Sequence, residues 1–203
     1  DRDSKMIKKT LLGAAFAAFA ITAITSTPHD AKASDDKTLV IGTMWESQPL
    51  AMQPRRSRFF NESEILDTLV KLDYDLKPIP GLATAWNRVS PTVWQFKLRE
   101  NVVFHDGTKL DAEAVKFSIE RVIALLPYAA DLLNIKSITA LSPLVLEIEN
   151  TEPYAALPNQ LSDAITVVYA KSSFNDAGEF VSPVGTGPWK FEEYRKQDRT
   201  IVS

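Results

Sequence analysis

Hydrophobic and polar positions follow three spacings along this chain, and each predicts a different element. Alternation marks strands, because successive side chains of an extended backbone point to opposite faces. Trp94, Phe96 and Leu98 alternate with Gln95, Lys97 and Arg99, which predicts a half-buried strand. Residues 135–141 and 144–148 predict two more, turned about Ser142-Pro143, and residues 199–203 alternate likewise. The apolar runs TLVIGTM (38–44) and AITVVYA (164–170) predict a first strand and a buried strand, with a short extended piece at 102–104. Helical spacing appears at Val115, Ile119, Val122 and Leu126, behind Asp111 as N-cap and Glu113 in the first turn. Lys116 and Glu120 form an i,i+4 pair on the other face of that helix. Ile65, Leu66, Leu69 and Val70 predict a second helix face, entered at Asn61 or Ser63. Residues 153–160 predict the start of a further helix, and residues 82–86 and 171–174 predict single helical turns. Residues 44–60, with two prolines, read as an ordered loop. Residues 72–81 read as a turn-rich connection broken by Pro78 and Pro80, and Gly185-Thr186-Gly187-Pro188 as a tight turn leading into 189–194. The order is mixed α and β, without a strict βαβ repeat.

The third spacing is an unbroken apolar run, LLGAAFAAFAITAI at 11–24. It follows Lys8 and Lys9 and is followed by Ala31-Lys32-Ala33, a small-x-small cleavage pattern. A membrane span needs about 20 apolar residues. This run is shorter and ends in polar residues, so residues 6–33 are expected to be a cleaved signal peptide and residues 1–5 extraneous or upstream sequence. The chain has no cysteine, which excludes disulfides and a lipid-anchored cysteine after the cleavage point. The expected location is the periplasm.

Charge then narrows the partners. Residues 1–33 hold five Lys/Arg and three Asp, so the remainder carries 18 basic and 23 acidic residues, a net of −5. Nucleic acid is not an expected partner of so acidic a chain. Catalytic chemistry is equally unsupported. His105 is the single histidine after residue 33, no G-x-S-x-G elbow exists, and cysteine chemistry is impossible. One histidine and no cysteine offer no N/S metal cluster. No enzyme, no catalytic residue, no direct metal site and no cofactor are expected. In FHDGTKLDAE (104–113), Asp106-Gly107 reads as a turn, Asp111 as a helix cap and His105 as a scaffold residue beside them. Trp86, Trp94 and Trp189 read as core.

Three segments, ILDTLVKLDYDLKPIPGLATAW (65–86), VWQFKLRENVVFHDGTKLDAEAVKFSIERV (93–122) and PVGTGPWKFEEYRKQDR (183–199), occur in an order and spacing that resembles one family. It is that of the periplasmic solute-binding proteins of ABC importers for peptides, nickel and opine-like chelates, bacterial extracellular solute-binding protein family 5. The resemblance implies an α/β, mixed α+β chain of the periplasmic-binding-protein-like type II fold, two-lobed with an inserted subdomain. It implies that only the N-terminal part is present: residues 34–48 start lobe I, 49–180 form the inserted subdomain, 181–203 return to lobe I, and lobe II is absent. It implies a monomer that captures a peptide or a small metal chelate and delivers it to an ABC permease and ATPase complex. Two alternatives stand beside this: a nickel- or metallophore-specific binder, and a non-transport receptor or chaperone on the same fold. Nickel-binding relatives present an arginine from the segment corresponding to LPNQLSDAITVVYA (157–170), which here has none. The family's cleft is faced by the loop after the first strand and the start of the next helix. That points to Met44, Trp45, Glu46, Arg58, Phe59 and Phe60 as ligand-binding candidates. The aromatics would form a wall, and Arg58 or Glu46 would pair with a ligand terminus.

Overall fold

The computed structural model describes residues 64–195 and 199–203, all within one compact unit of the chain. Its centre is a four-stranded antiparallel sheet in the order β3-β4-β6-β5, formed by β3 (Ala83–Ser90), β4 (Val93–Leu98), β5 (Ile135–Ser142) and β6 (Val145–Asn150). Register decides which side is buried. Phe96 stands opposite Trp86 and Leu146, and Ile148 opposite Trp94 and Ile138, so these residues share one face. Phe96, Leu98, Leu146 and Ile148 on that face are fully buried. The other face carries Gln95, which donates to Glu147 at 2.8 Å, and Glu149, which receives Lys136 at 2.8 Å.

Helix α1 (Ala112–Leu125) packs across β5 and β6. The expected cap is present: the Asp111 carboxylate accepts from Ala114 N at 2.8 Å. Ala112, Val115, Ser118, Ile119 and Val122 are buried at helical spacing, while Leu126 serves as the C-cap residue. Lys116 and Glu120 pair at 3.7 Å as expected. Helix α2 (Pro127–Leu133) ends at Asn134 in the left-handed conformation. The buried Asn150 side chain donates to the Leu133 and Asn134 carbonyls at 3.1 and 3.0 Å, which satisfies acceptors left free at that helix end. A short α3 (Leu157–Gln160) occupies the last turn of the helix expected at 153–160.

Four local expectations are overturned, and long-range hydrogen bonding accounts for the first of them. Residues 64–69 are not helical. Ile65, Leu66 and Leu69 are buried as expected, but the carbonyls of Ile65, Asp67, Thr68 and Leu69 accept from Gly187, Val168, Leu82 and Ala83. A backbone whose carbonyls serve remote segments cannot also serve its own i+4 amides. Val70 then opens β1 (Val70–Leu72), which pairs with β2 (Pro78–Pro80) inside the stretch read as a connection. Prolines are tolerated in β2 because a two-stranded pair leaves an edge where no donor is needed. Residues 83–86 are strand β3, not a helical turn, because β4 supplies a full antiparallel partner.

The apolar run at 164–170 is buried but is not a strand. It opens with a 3-10 turn, Ala164–Thr166, and its amides then go to unlike partners. Val168 N donates to Asp67 O at 2.8 Å, Tyr169 N to Ser118 Oγ at 3.0 Å, and Ala170 N to Val184 O at 2.9 Å. Ser118 Oγ in turn donates to Val167 O at 3.2 Å. One buried hydroxyl thus ties α1 to this segment. Ser118→Ala removes it without changing volume much and strands a buried donor and acceptor. The expected loss is about 1–3 kcal/mol of unfolding free energy by urea titration; a loss under about 0.5 kcal/mol would show that the segment holds without it.

The 3-10 turn Lys171–Ser173 is where a helical turn was expected. The GTGP turn leads into a hairpin of β7 (Phe191–Arg195) and β8 (Arg199–Val202). Its Phe191 and Val202 pack, with Trp189, on a second apolar cluster of Ile65, Leu66, Val167 and Tyr169. The three tryptophans read as core are half-buried, packed against the two clusters.

Candidate functional site

The six ligand-binding candidates Met44, Trp45, Glu46, Arg58, Phe59 and Phe60 lie outside the described residues, as do the first strand at 38–44 and the signal segment. The described residues show the junction on which the chain after residue 63 is built. Three segments meet there: the run 64–70, the turn at 104–108, and Gly185-Thr186-Gly187.

The turn is built as the FHDG pattern predicts. Gly107 has φ +84, and Gly107 N donates to Phe104 O at 2.8 Å. The Asp106 carboxylate accepts from Thr108 N at 2.9 Å and from the Thr108 hydroxyl at 2.6 Å, and also takes the Ser172 hydroxyl. Burial pushes this carboxyl up, but the hydrogen bonds from Ser172 and Thr108 outweigh it and hold it below the ordinary aspartate range. The sign follows: the contribution is fully present above about pH 4 and is lost as pH falls through the lowered native value. Wild type is therefore expected to show a steeper loss of stability below about pH 4 than Asp106→Asn, read from urea midpoints across pH. Parallel curves would remove Asp106 from the account.

His105 is a scaffold residue, as the sequence implies, and the structure gives its task. Its Nδ1 accepts from Gly185 N at 3.3 Å, and its Nε2 lies 2.8 Å from Gly187 O. An acceptor at Nδ1 leaves the proton on Nε2, which donates to the Gly187 carbonyl. His105 N also donates to Gly185 O at 2.9 Å. One side chain therefore clamps both ends of the GTG turn. Thr186 faces the other way and donates to Asp67 Oδ2 at 3.0 Å, while Lys71 pairs with Asp67 Oδ1 at 3.1 Å. Sequence reasoning missed Asp67, Lys71 and Thr186, because nothing local signals a contact across 119 residues.

Beside this junction opens a half-open cavity of about 240 Å³, lined by Asp67, Lys71, Pro80, Gly81, Leu82, Arg99, Val102 and Thr186. Arg99 Nη2 donates to Gly81 O at 3.1 Å.

A match to known proteins covers most of these elements. Residues 77–203 match the family model described as bacterial extracellular solute-binding proteins, family 5, middle. This chain belongs to that family. It is 30% identical over 137 residues to the HTH-type transcriptional regulator SgrR of Escherichia coli O6:K15:H31 and 30% over 135 residues to the nickel-binding protein NikA of Staphylococcus aureus. Each match covers 66% of this chain but only 24% and 27% of those proteins. The crystal structure of a nickel ABC transporter protein from Bacillus halodurans superposes with a TM-score of 0.70 at 27% identity, over 78% of this chain and 33% of that one. The chain thus spans about a quarter of those curated relatives and a third of that solved structure, and its mixed α/β fold is that of the periplasmic binding proteins.

Proposed function

We propose that this chain is part of the ligand-capturing component of an ABC importer, which binds a peptide or a small metal chelate in the periplasm and hands it to a membrane permease. The observation that carries this reading is the family match over residues 77–203, supported by the likeness to a nickel ABC transporter protein. In this reading residues 34–48 begin the first lobe, 49–180 form the inserted subdomain and 181–203 return to the lobe. Met44, Trp45, Glu46, Arg58, Phe59 and Phe60 contact the ligand. The segment 157–170 carries no arginine to hold a chelate, which weighs against a nickel chelate as the ligand. The protein works without enzymatic chemistry, and residues 6–33 direct it to the periplasm.

Native mass spectrometry of the protein purified from periplasm without refolding tests this directly. A ladder of peptide masses released on denaturation identifies a peptide importer, and a single species with a metal isotope pattern identifies a chelate importer. An empty protein whose deletion leaves uptake intact would instead support a non-transport receptor, a reading favoured by the likeness to a protein named as a transcriptional regulator.

A further inference from the structure

The cavity beside the GTG turn has a composition that selects one kind of ligand. Asp67 and Lys71 neutralise each other at 3.1 Å, and the second Asp67 oxygen is taken by the Thr186 hydroxyl. Asp67 therefore has no oxygen left without a donor. Arg99 is the remaining charge. It spends Nη2 on the Gly81 carbonyl, and among the described residues no carboxylate forms an ion pair with it. Its net charge is thus +1 by these three groups, with several guanidinium N–H groups uncommitted. An exposed arginine alone is a solvated surface group. This one is held by a backbone carbonyl and lines a cavity that Pro80 and Val102 also line. A planar guanidinium donates two parallel hydrogen bonds to a carboxylate, and an apolar wall accepts a short aliphatic tail. The volume equals roughly eight water molecules at about 30 Å³ each, the size of a short carboxylic acid or one terminal amino-acid residue.

The geometry points to a carboxylate-binding site here: Arg99 takes the carboxylate, and Pro80 and Val102 take the aliphatic tail. This site is built only from described residues and does not depend on the import reading. Two sources share this chemistry, a free short-chain acid and the C terminus of a peptide, and the probes separate them.

The test is a titration of the ¹⁵N-labelled full chain with valerate, followed at the amides of Gly81, Leu82 and Thr186. Valeramide, its uncharged counterpart, is the matched control. Saturable shifts with valerate that are weaker by about tenfold or more with valeramide are expected, since the charge-assisted fork is lost. Arg99→Gln should weaken valerate by a similar factor while leaving the thermal midpoint and the remaining spectrum unchanged. Ac-Ala-Val with a free C terminus, compared with its amide, reads the source: tighter binding than valerate assigns a peptide C terminus, and weaker binding assigns a free acid. Equal shifts with valerate and valeramide, an unchanged response in Arg99→Gln, or no saturable shift with any probe overturns the site. If Arg99→Gln does not fold, the valerate–valeramide comparison on the wild-type chain decides alone.

Discussion

Gly187→Ala is expected to abolish stable folding or to cost roughly 3–5 kcal/mol. The reason is room rather than conformational freedom. A Cβ built on Gly187 meets the Glu64 carbonyl oxygen well inside contact distance, with the Glu64 carbonyl carbon at 2.6 Å. These are backbone atoms of the run 64–69, so no side chain can swing aside. Moving the turn away breaks Gly187 N to Ile65 O, 3.2 Å, and the His105 Nε2 bond to Gly187 O, 2.8 Å. Each lost bond adds about 1 kcal/mol to an overpacking cost of about 1–3. Against a total stability of about 5–15 kcal/mol, a loss of this size is enough to unfold a marginal domain. Gly107→Ala is the internal contrast. Nothing lies within 4 Å of its added methyl, but φ is +84, so it pays only backbone strain of about 1–2 kcal/mol. Urea unfolding of the two variants should rank Gly187→Ala well above Gly107→Ala. The reverse order would mean that the GTG turn is not seated on the 64–69 backbone as described.

The same contact shows where sequence reading succeeds and stops. Several elements whose hydrogen bonds are local or between near neighbours were legible, among them the Asp111 cap, the stripe on α1, the β5–β6 hairpin and the alternation on β4, whereas the β1–β2 pair and strand β3 were not. Burial was also legible at 65–69 and 164–170, since apolar residues go inside whatever the backbone does. Secondary structure at those two segments was not, because their amides and carbonyls are satisfied by Gly187, Leu82, Ala83, Ser118 and Val184, which lie far along the chain. The GTG glycines signalled a turn, yet their steric necessity appears only when the carbonyls of Glu64 and Ile65 are placed beside them. His105 could be set aside as a catalyst by counting histidines, but its double hold on the turn could not be read without coordinates. Of the candidate cleft, the six residues between 44 and 60 rest on the resemblance alone.

Phe96→Ala is expected to destabilise the chain by about 3–5 kcal/mol, through lost transfer energy and a cavity that rigid neighbours cannot fill. Phe96 has no solvent exposure and sits in the inner strand β4. Its ring lies 6.5 Å from both Trp86 and Trp94, and its cross-strand partner on β6 is the fully buried Leu146. The strands on both sides are hydrogen-bonded to β4, so collapse into the void would break a register held along its length. Phe96→Leu keeps most of the volume and should cost roughly 1–2 kcal/mol. Lys97→Ala, one residue on, points to the opposite, solvated face and should change stability by less than about 0.5 kcal/mol. Tryptophan fluorescence adds a local readout, since the ring that packs against Trp86 and Trp94 is removed, and their emission should change in Phe96→Ala but not in Lys97→Ala. Equal costs at positions 96 and 97 would overturn the assignment of faces, and with it the placement of α1 over the sheet. The alternation of Trp94, Phe96 and Leu98 with Gln95 and Lys97 is therefore tested at the two neighbouring positions where a one-residue slip in register would exchange core for solvent.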